Sequence, residues 1–127
     1  MNKNNKKILI LDDDVDILSI CTYILEERGW EVISFTDCND IVERVNSIRP
    51  FVILMDNWIP EEGGVVATQK IKSSPAISDV PVIYFSANSD IKLLAQRAGA
   101  DHYLAKPFDL DDLITIVDST HIKQNMV

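Results

Sequence analysis

Apolar runs of strand length alternate along this chain with segments whose apolar residues recur at helical spacing. The first run is Ile8-Leu9-Ile10-Leu11. After it, Ile17, Leu18, Cys21, Ile24 and Leu25 share one face of a helix that begins near Asp14 and stops at Gly29. Trp30 to Phe35 reads as a second strand. Asp37 or Asn39 can cap a second helix with a buried stripe of Ile41, Val42, Val45 and Ile48, ended by Pro50. Phe51 to Met55, apolar at every position, predicts a third strand. A loop with Pro60, Gly63 and Gly64 leads into a helix from about Gly64 to Ser74 with a thin stripe of Val66, Ala67 and Ile71, closed by Pro75. Val80 to Phe85 predicts strand four, where Pro81 is tolerated near the first position. A fourth helix carries Ile91, Leu94, Ala95 and Ala98 up to Gly99. His102 to Ala105 is a short fifth strand, and a fifth helix from near Asp109 presents Leu110, Leu113, Ile114 and Val117.

Five strand–helix units with continuously apolar strands require a parallel sheet covered on both faces. Crossovers of this kind are right-handed. The expected fold is therefore α/β: a flavodoxin-like, doubly wound sheet of five parallel strands in order 2-1-3-4-5, with five helices. The 127 residues suffice for one domain, with a core from about 7 to 122 and a tail or truncated linker over 123–127.

Composition narrows the function. A hydrophobic fraction of 46% with 25% charged residues excludes disorder. The net charge of −8 repels nucleic-acid phosphates, so direct DNA or RNA binding is not expected. No apolar stretch approaches the roughly 20 residues of a membrane helix. The run Ile8 to Leu11 is too short for a signal peptide, which points to the cytoplasm. Cys21 and Cys38 lie in no Cys-x-x-Cys pair and read as buried free thiols rather than zinc ligands.

In an open parallel sheet, ligands bind at the carboxyl ends of the strands. There the first strand ends in Asp12-Asp13-Asp14, the third in Asp56, the fourth in Ser86 and the fifth in Lys106-Pro107. One polar residue at a strand end is ordinary turn chemistry. Four converging on one edge are not accounted for that way. Clustered carboxylates repel unless a cation sits between them, and an all-oxygen donor set suits a hard ion such as Mg²⁺. Asp14 fits equally well as a helix N-cap. Lys106, ahead of a proline whose peptide bond is open to the cis form, can hold Asp56 or a phosphate oxygen. Ser86 can donate to that oxygen or cap the next helix.

Together these pieces resemble the receiver domain of two-component response regulators, the chemotaxis regulator among them. The stretches that carry the likeness are Ile8 to Asp14, Val52 to Asp56 with Pro60 and Gly64, Pro81 to Ala87, and Gly99 to Phe108. The resemblance implies a phosphorelay phosphoprotein that accepts a phosphoryl group on Asp56 from a histidine kinase or phosphotransfer protein, with Mg²⁺ (or Mn²⁺). It implies metal ligation by Asp13 and Asp56, by Asp12 mainly through water, and by the backbone carbonyl of Trp58. Lys106, through a cis bond to Pro107, would pair with the phosphoryl group. Ser86 would hydrogen-bond it and Tyr103 would act as the rotating aromatic. Helix four, strand five and helix five would present a changed face to a downstream protein, or to a second copy in a homodimer. The family more often has threonine where Ser86 stands. Trp58 and Asn88 occupy positions that influence dephosphorylation in the family.

Such a protein is not an enzyme acting on other molecules. The rival enzymatic reading is a haloacid-dehalogenase-like phosphatase with Asp12 as nucleophile. It lacks a further acidic pair at a strand end and room for a substrate cap. A flavodoxin-type module needs a phosphate-cradling loop that three aspartates would repel. A docking module that works without phosphorylation is a third alternative.

Overall fold

The computed structural model describes residues 6–57, 63–87 and 89–125, the last five as helix backbone alone. The strands are β1 (Lys7–Leu11), β2 (Glu31–Phe35), β3 (Val52–Asp56), β4 (Val82–Ser86) and β5 (His102–Ala105). The helices are α1 (Val15–Glu27), α2 (Ile41–Ile48), α3 (Gly63–Lys72), α4 (Ile91–Ala98) and α5 (Leu110–Asn125). All strands pair in parallel in the order β2-β1-β3-β4-β5. This is the five-stranded, flavodoxin-like topology that the alternation predicts. The last helix continues through Asn125, into the segment the sequence leaves as a tail or linker.

Side-chain alternation divides the core into two layers. Ile8, Ile10, Val52, Leu54, Ile83 and Phe85 face α1 and α5 and pack on Leu18, Cys21, Leu25, Leu113 and Val117. Leu9, Leu11, Ile53, Met55, Val82 and Tyr84 face the opposite side and pack on residues of α2, α3 and α4, among them Ile41, Val45, Ile71 and Ala95. β1, β3 and β4 are buried on both faces, which is why they read as unbroken apolar runs.

Several local expectations need correction. Neither Asp37 nor Asn39 caps α2; Asp40 holds the N-cap position in a left-handed conformation, while Asp37 accepts the Asn39 N–H and pairs with Arg44. An early turn uses the Asp37 side chain before the helix begins. β4 begins at Val82 rather than Val80, because the Val80 N–H closes a turn on Ile77 and Pro81 has no N–H for the ladder. Trp30 is buried ahead of β2 rather than within it, its ring under the Lys6 ammonium. In α3 the buried stripe is Gly64, Ala67, Thr68 and Ile71, and Val66 is exposed. Leu110 opens α5 facing solvent.

α3 stops at Lys72, before the expected Ser74, while the ends of α1 and α4 follow the sequence. Gly29 and Gly99, with positive φ, terminate α1 and α4. Asp14 caps α1, its Oδ1 accepting the N–H groups of Asp16 and Ile17.

Candidate phosphoryl-acceptor site

Because the strands are parallel, their carboxyl ends lie along one edge. Asp12 directly follows β1, Asp56 ends β3, Ser86 ends β4 and Lys106 directly follows β5. Strand parity sorts these further. Asp12, Asp56 and Lys106 continue the series that faces α1 and α5; Ser86, Tyr84 and Tyr103 continue the series that faces α3 and α4.

The Lys106 ammonium donates to Asp12 Oδ2 and to Asp56 Oδ1, both at 2.8 Å. Asp12 and Asp56 are 1% and 3% exposed. Lys106 Nζ also lies 4.5 Å from the centroid of the Phe85 ring, which supports it from below. The Lys106–Pro107 peptide is cis, as its sequence position suggests. Burial alone pulls the lysine's pKa down, but hydrogen bonds and charge from Asp12 and Asp56 outweigh it, so the net direction is up. The ammonium therefore stays charged through the neutral range.

The other oxygen of Asp12, Oδ1, accepts the Asp14 N–H at 2.9 Å. Asp13 is exposed, and ligand oxygens of Asp12, Asp13 and Asp56 all lie within 4.8 Å of one another. Asp14 turns away to cap α1, so of its two expected roles the capping one holds. Ser86 is fully buried, and Tyr103 stands outward, 44% exposed. Trp58, Pro60 and Asn88, with the roles expected for Trp58 and Asn88, lie outside the described residues.

Three neighbours take their place beside the site only in the structure. Tyr84 buries its ring in β4 and donates its hydroxyl to Asn57 Oδ1, next to Asp56. Burial, helped by the Asp56 charge, pushes its phenol up to about 12. The available signal was a polar-tipped aromatic in an otherwise apolar strand, two residues and hence one same-face step before Ser86. Gly64 packs so closely on the Asp56 carbonyl that a Cβ there would lie 2.1 Å from the oxygen.

Cys21, on α1 beneath the cluster, is the third. Burial first and the Asp12 charge second raise its thiol to about 11. An unfolded thiol ionises near 9.0, so above that pH the unfolded chain releases a proton the folded one retains. Stability is then full below pH 9 and falls as pH rises toward 11. We expect denaturant titrations to lose on the order of 1 kcal/mol between about pH 8 and pH 10 from this thiol alone. Cys21→Ala should flatten that decline.

An open parallel sheet with buried carboxylates and a lysine at its carboxyl edge defines a class of α/β proteins that bind ligands where the strands end. Within it, this chain belongs to the response regulator receiver domain family, whose description it matches over residues 8–118. It is 29% identical to the CAI-1 autoinducer sensor kinase/phosphatase CqsS of Vibrio cholerae, over 91% of this chain and 17% of that protein. It is 29% identical to the alkaline phosphatase synthesis transcriptional regulatory protein PhoP of Bacillus subtilis, over 82% of this chain and 43% of that one. The chain thus spans less than half the length of either relative. The receiver domain of a sensor histidine kinase from Pseudomonas aeruginosa, solved with magnesium coordinated in its active-site cleft, superposes with a TM-score of 0.84. It is 28% identical, covering 92% of this chain and 98% of that one. The chemotaxis protein CheY4 of Vibrio cholerae shares the fold, with a TM-score of 0.81 at 22% identity over 90% of this chain and 97% of that one. Receiver domains are phosphoacceptor signalling modules that interact with histidine kinases or phosphotransfer proteins. Among the described residues, no helix is long and apolar enough to cross a membrane.

Proposed function

We propose that this chain, as one receiver domain spanning residues 1–127, is a phosphorelay switch whose acceptor is Asp56. The observation that carries the reading is local charge. Three carboxylates converge while one ammonium pairs with two of them, so three negative charges against one positive leave the cluster at −2. That deficit and the all-oxygen donor set fit one divalent hard cation, Mg²⁺ or Mn²⁺. Asp13 and Asp56 would hold it directly. Asp12, with one oxygen on Lys106 and the other on the Asp14 N–H, would act mainly through water. By family likeness the backbone carbonyl of Trp58 is a further ligand. When bound, the ion supplies positive charge at the oxygens of the transferred group.

The chain's own residues do the rest. The Asp56 carboxylate attacks phosphorus in line while the bond from phosphorus to the donor's leaving nitrogen or oxygen breaks. Lys106 moves its hydrogen bond from the carboxylate to the new phosphoryl oxygens. Ser86, at the end of β4, donates to the same group and draws the loop into α4 with it. Tyr103 then turns inward from its exposed position, and α4, β5 and α5 offer a changed face to a downstream protein or a second copy. The donor is a histidine kinase or phosphotransfer protein in the cytoplasm. The chain catalyses only its own phosphorylation and dephosphorylation.

Incubation with a small acyl phosphate and Mg²⁺ tests this. The expected result is one acid-labile phosphoryl group per chain, mapped by peptide mass to the segment containing Asp56, and none when the metal is chelated. Labelling of Asp12, or turnover of a phosphate ester, would instead support the haloacid-dehalogenase reading. Absence of any label would leave the docking module.

A further inference from the structure

We propose that Tyr84 is a positioning residue for this site: by holding the Asn57 side chain, its hydroxyl orients the backbone at Asp56 and so sets how tightly the carboxylate cluster binds a divalent cation. The inference rests on the reading of Asp12, Asp13 and Asp56 as a metal site.

Asn57 follows Asp56 directly and is held at three points. Its N–H donates to the Phe85 carbonyl at 3.3 Å, and its carbonyl accepts the Gly64 N–H at 3.1 Å. Any residue but proline could make those two backbone bonds. The third, from the Tyr84 hydroxyl to Asn57 Oδ1, depends on both side chains. Tyr84 is completely buried in the layer that contains Ile53, Met55 and Val82. A phenylalanine would fill the same volume without a polar atom, and a buried hydroxyl is unfavourable unless it is bonded. Its bonded partner is the residue adjoining the acceptor.

Parity explains the reach. Asn57 continues the Ile53 and Met55 series of β3, so its side chain falls on the same sheet face as Tyr84 of the neighbouring strand. The Asp56 carboxylate falls on the opposite face with Asp12 and Lys106. One bond on the α3 and α4 side thus fixes the turn that sets the direction of a carboxylate on the other. A metal site gains affinity when its ligands are already oriented, because ordering them on binding is then not required.

Tyr84→Phe removes only the hydroxyl. By calorimetric titration, its Mg²⁺ dissociation constant should rise by roughly threefold to tenfold, the factor one ordinary hydrogen bond carries. Labelling by a small acyl phosphate should slow at subsaturating Mg²⁺ and recover at saturating Mg²⁺, a split that loss of stability alone would not give. In an Asn57→Ala background the same substitution should add nothing, and Asn57→Ala alone supplies the affinity measurement if Tyr84→Phe does not fold. A Mg²⁺ affinity within twofold of the parent in both single variants, or an undiminished Tyr84→Phe effect once Asn57 is alanine, would overturn the role. A parent protein that binds Mg²⁺ but takes no phosphoryl group would refute the acceptor reading while leaving the calorimetric result to decide on Tyr84. A parent that binds no Mg²⁺ would refute both.

Discussion

In Asp56→Asn, acid-labile labelling by a small acyl phosphate in the presence of Mg²⁺ is expected to fall to background. A carboxamide has nearly the shape of the carboxylate but neither its negative charge nor a nucleophilic oxygen able to form a stable mixed anhydride. The loss should be complete, since Asp12, the nearest alternative, has its two oxygens on the Asp14 N–H and on Lys106. The fold should survive. Lys106 keeps Asp12 at 2.8 Å, and removing one of three converging carboxylates relieves repulsion. Thermal unfolding at or above the parent's midpoint, with labelling absent, is the expected pair of results. Retained labelling would mean the acceptor lies elsewhere.

Gly64→Ala is expected to destabilise the protein, although alanine is the better helix former by about 1 kcal/mol. The reason is contact with backbone that cannot step aside. The added methyl would meet the Asp56 carbonyl oxygen at 2.1 Å, its carbon at 3.0 Å and the Asn57 Cα at 3.1 Å. The start of α3 must move away from the end of β3. Overpacking of this kind costs about 1–3 kcal/mol. The displaced atoms belong to Asp56, the proposed acceptor, and to Asn57, so Mg²⁺ affinity should weaken as well. Gly63→Ala is the control. Its φ of +79° penalises any side chain by roughly 1–2 kcal/mol, but the nearest atom to its Cβ is 3.9 Å away. Chemical denaturation of both variants, paired with Mg²⁺ titration, separates a local conformational penalty from displacement of the site.

Much of this architecture was readable because the central strands are buried twice over. β1, β3 and β4 had to be apolar without interruption, so their ends, where the first charged or polar residue appears, stand out at Asp12, Asp56 and Ser86. Lys106 was legible differently, since β5 is half-exposed and begins at a histidine; its place between a short strand and Pro107 marked it. What the one-dimensional pattern concealed was lateral. Asp40 takes the N-cap position of α2 in a left-handed conformation and without a side-chain cap bond, so the hydrogen-bonding chemistry that marks a usual cap is missing there. Leu110 looked like core by spacing, yet it lies at the opening turn of α5, before the helix meets the sheet. The Tyr84 bond to Asn57 spans 27 residues and appears only once strand register is known. Gly64 read as a turn glycine, whereas its missing side chain makes room for a backbone carbonyl.

The parity of the strands has a mechanical consequence. The sheet acts as a partition: the ionic trio of Asp12, Asp56 and Lys106 stands on one side of it, and the two tyrosines and Ser86 on the other. In the switch proposed above, charge added on the first side would have no short route through the packed wall of Ile, Leu and Phe to the second. It would travel over the rim, through the last residue or two of each strand, and those few residues would be the fulcrum between input and output.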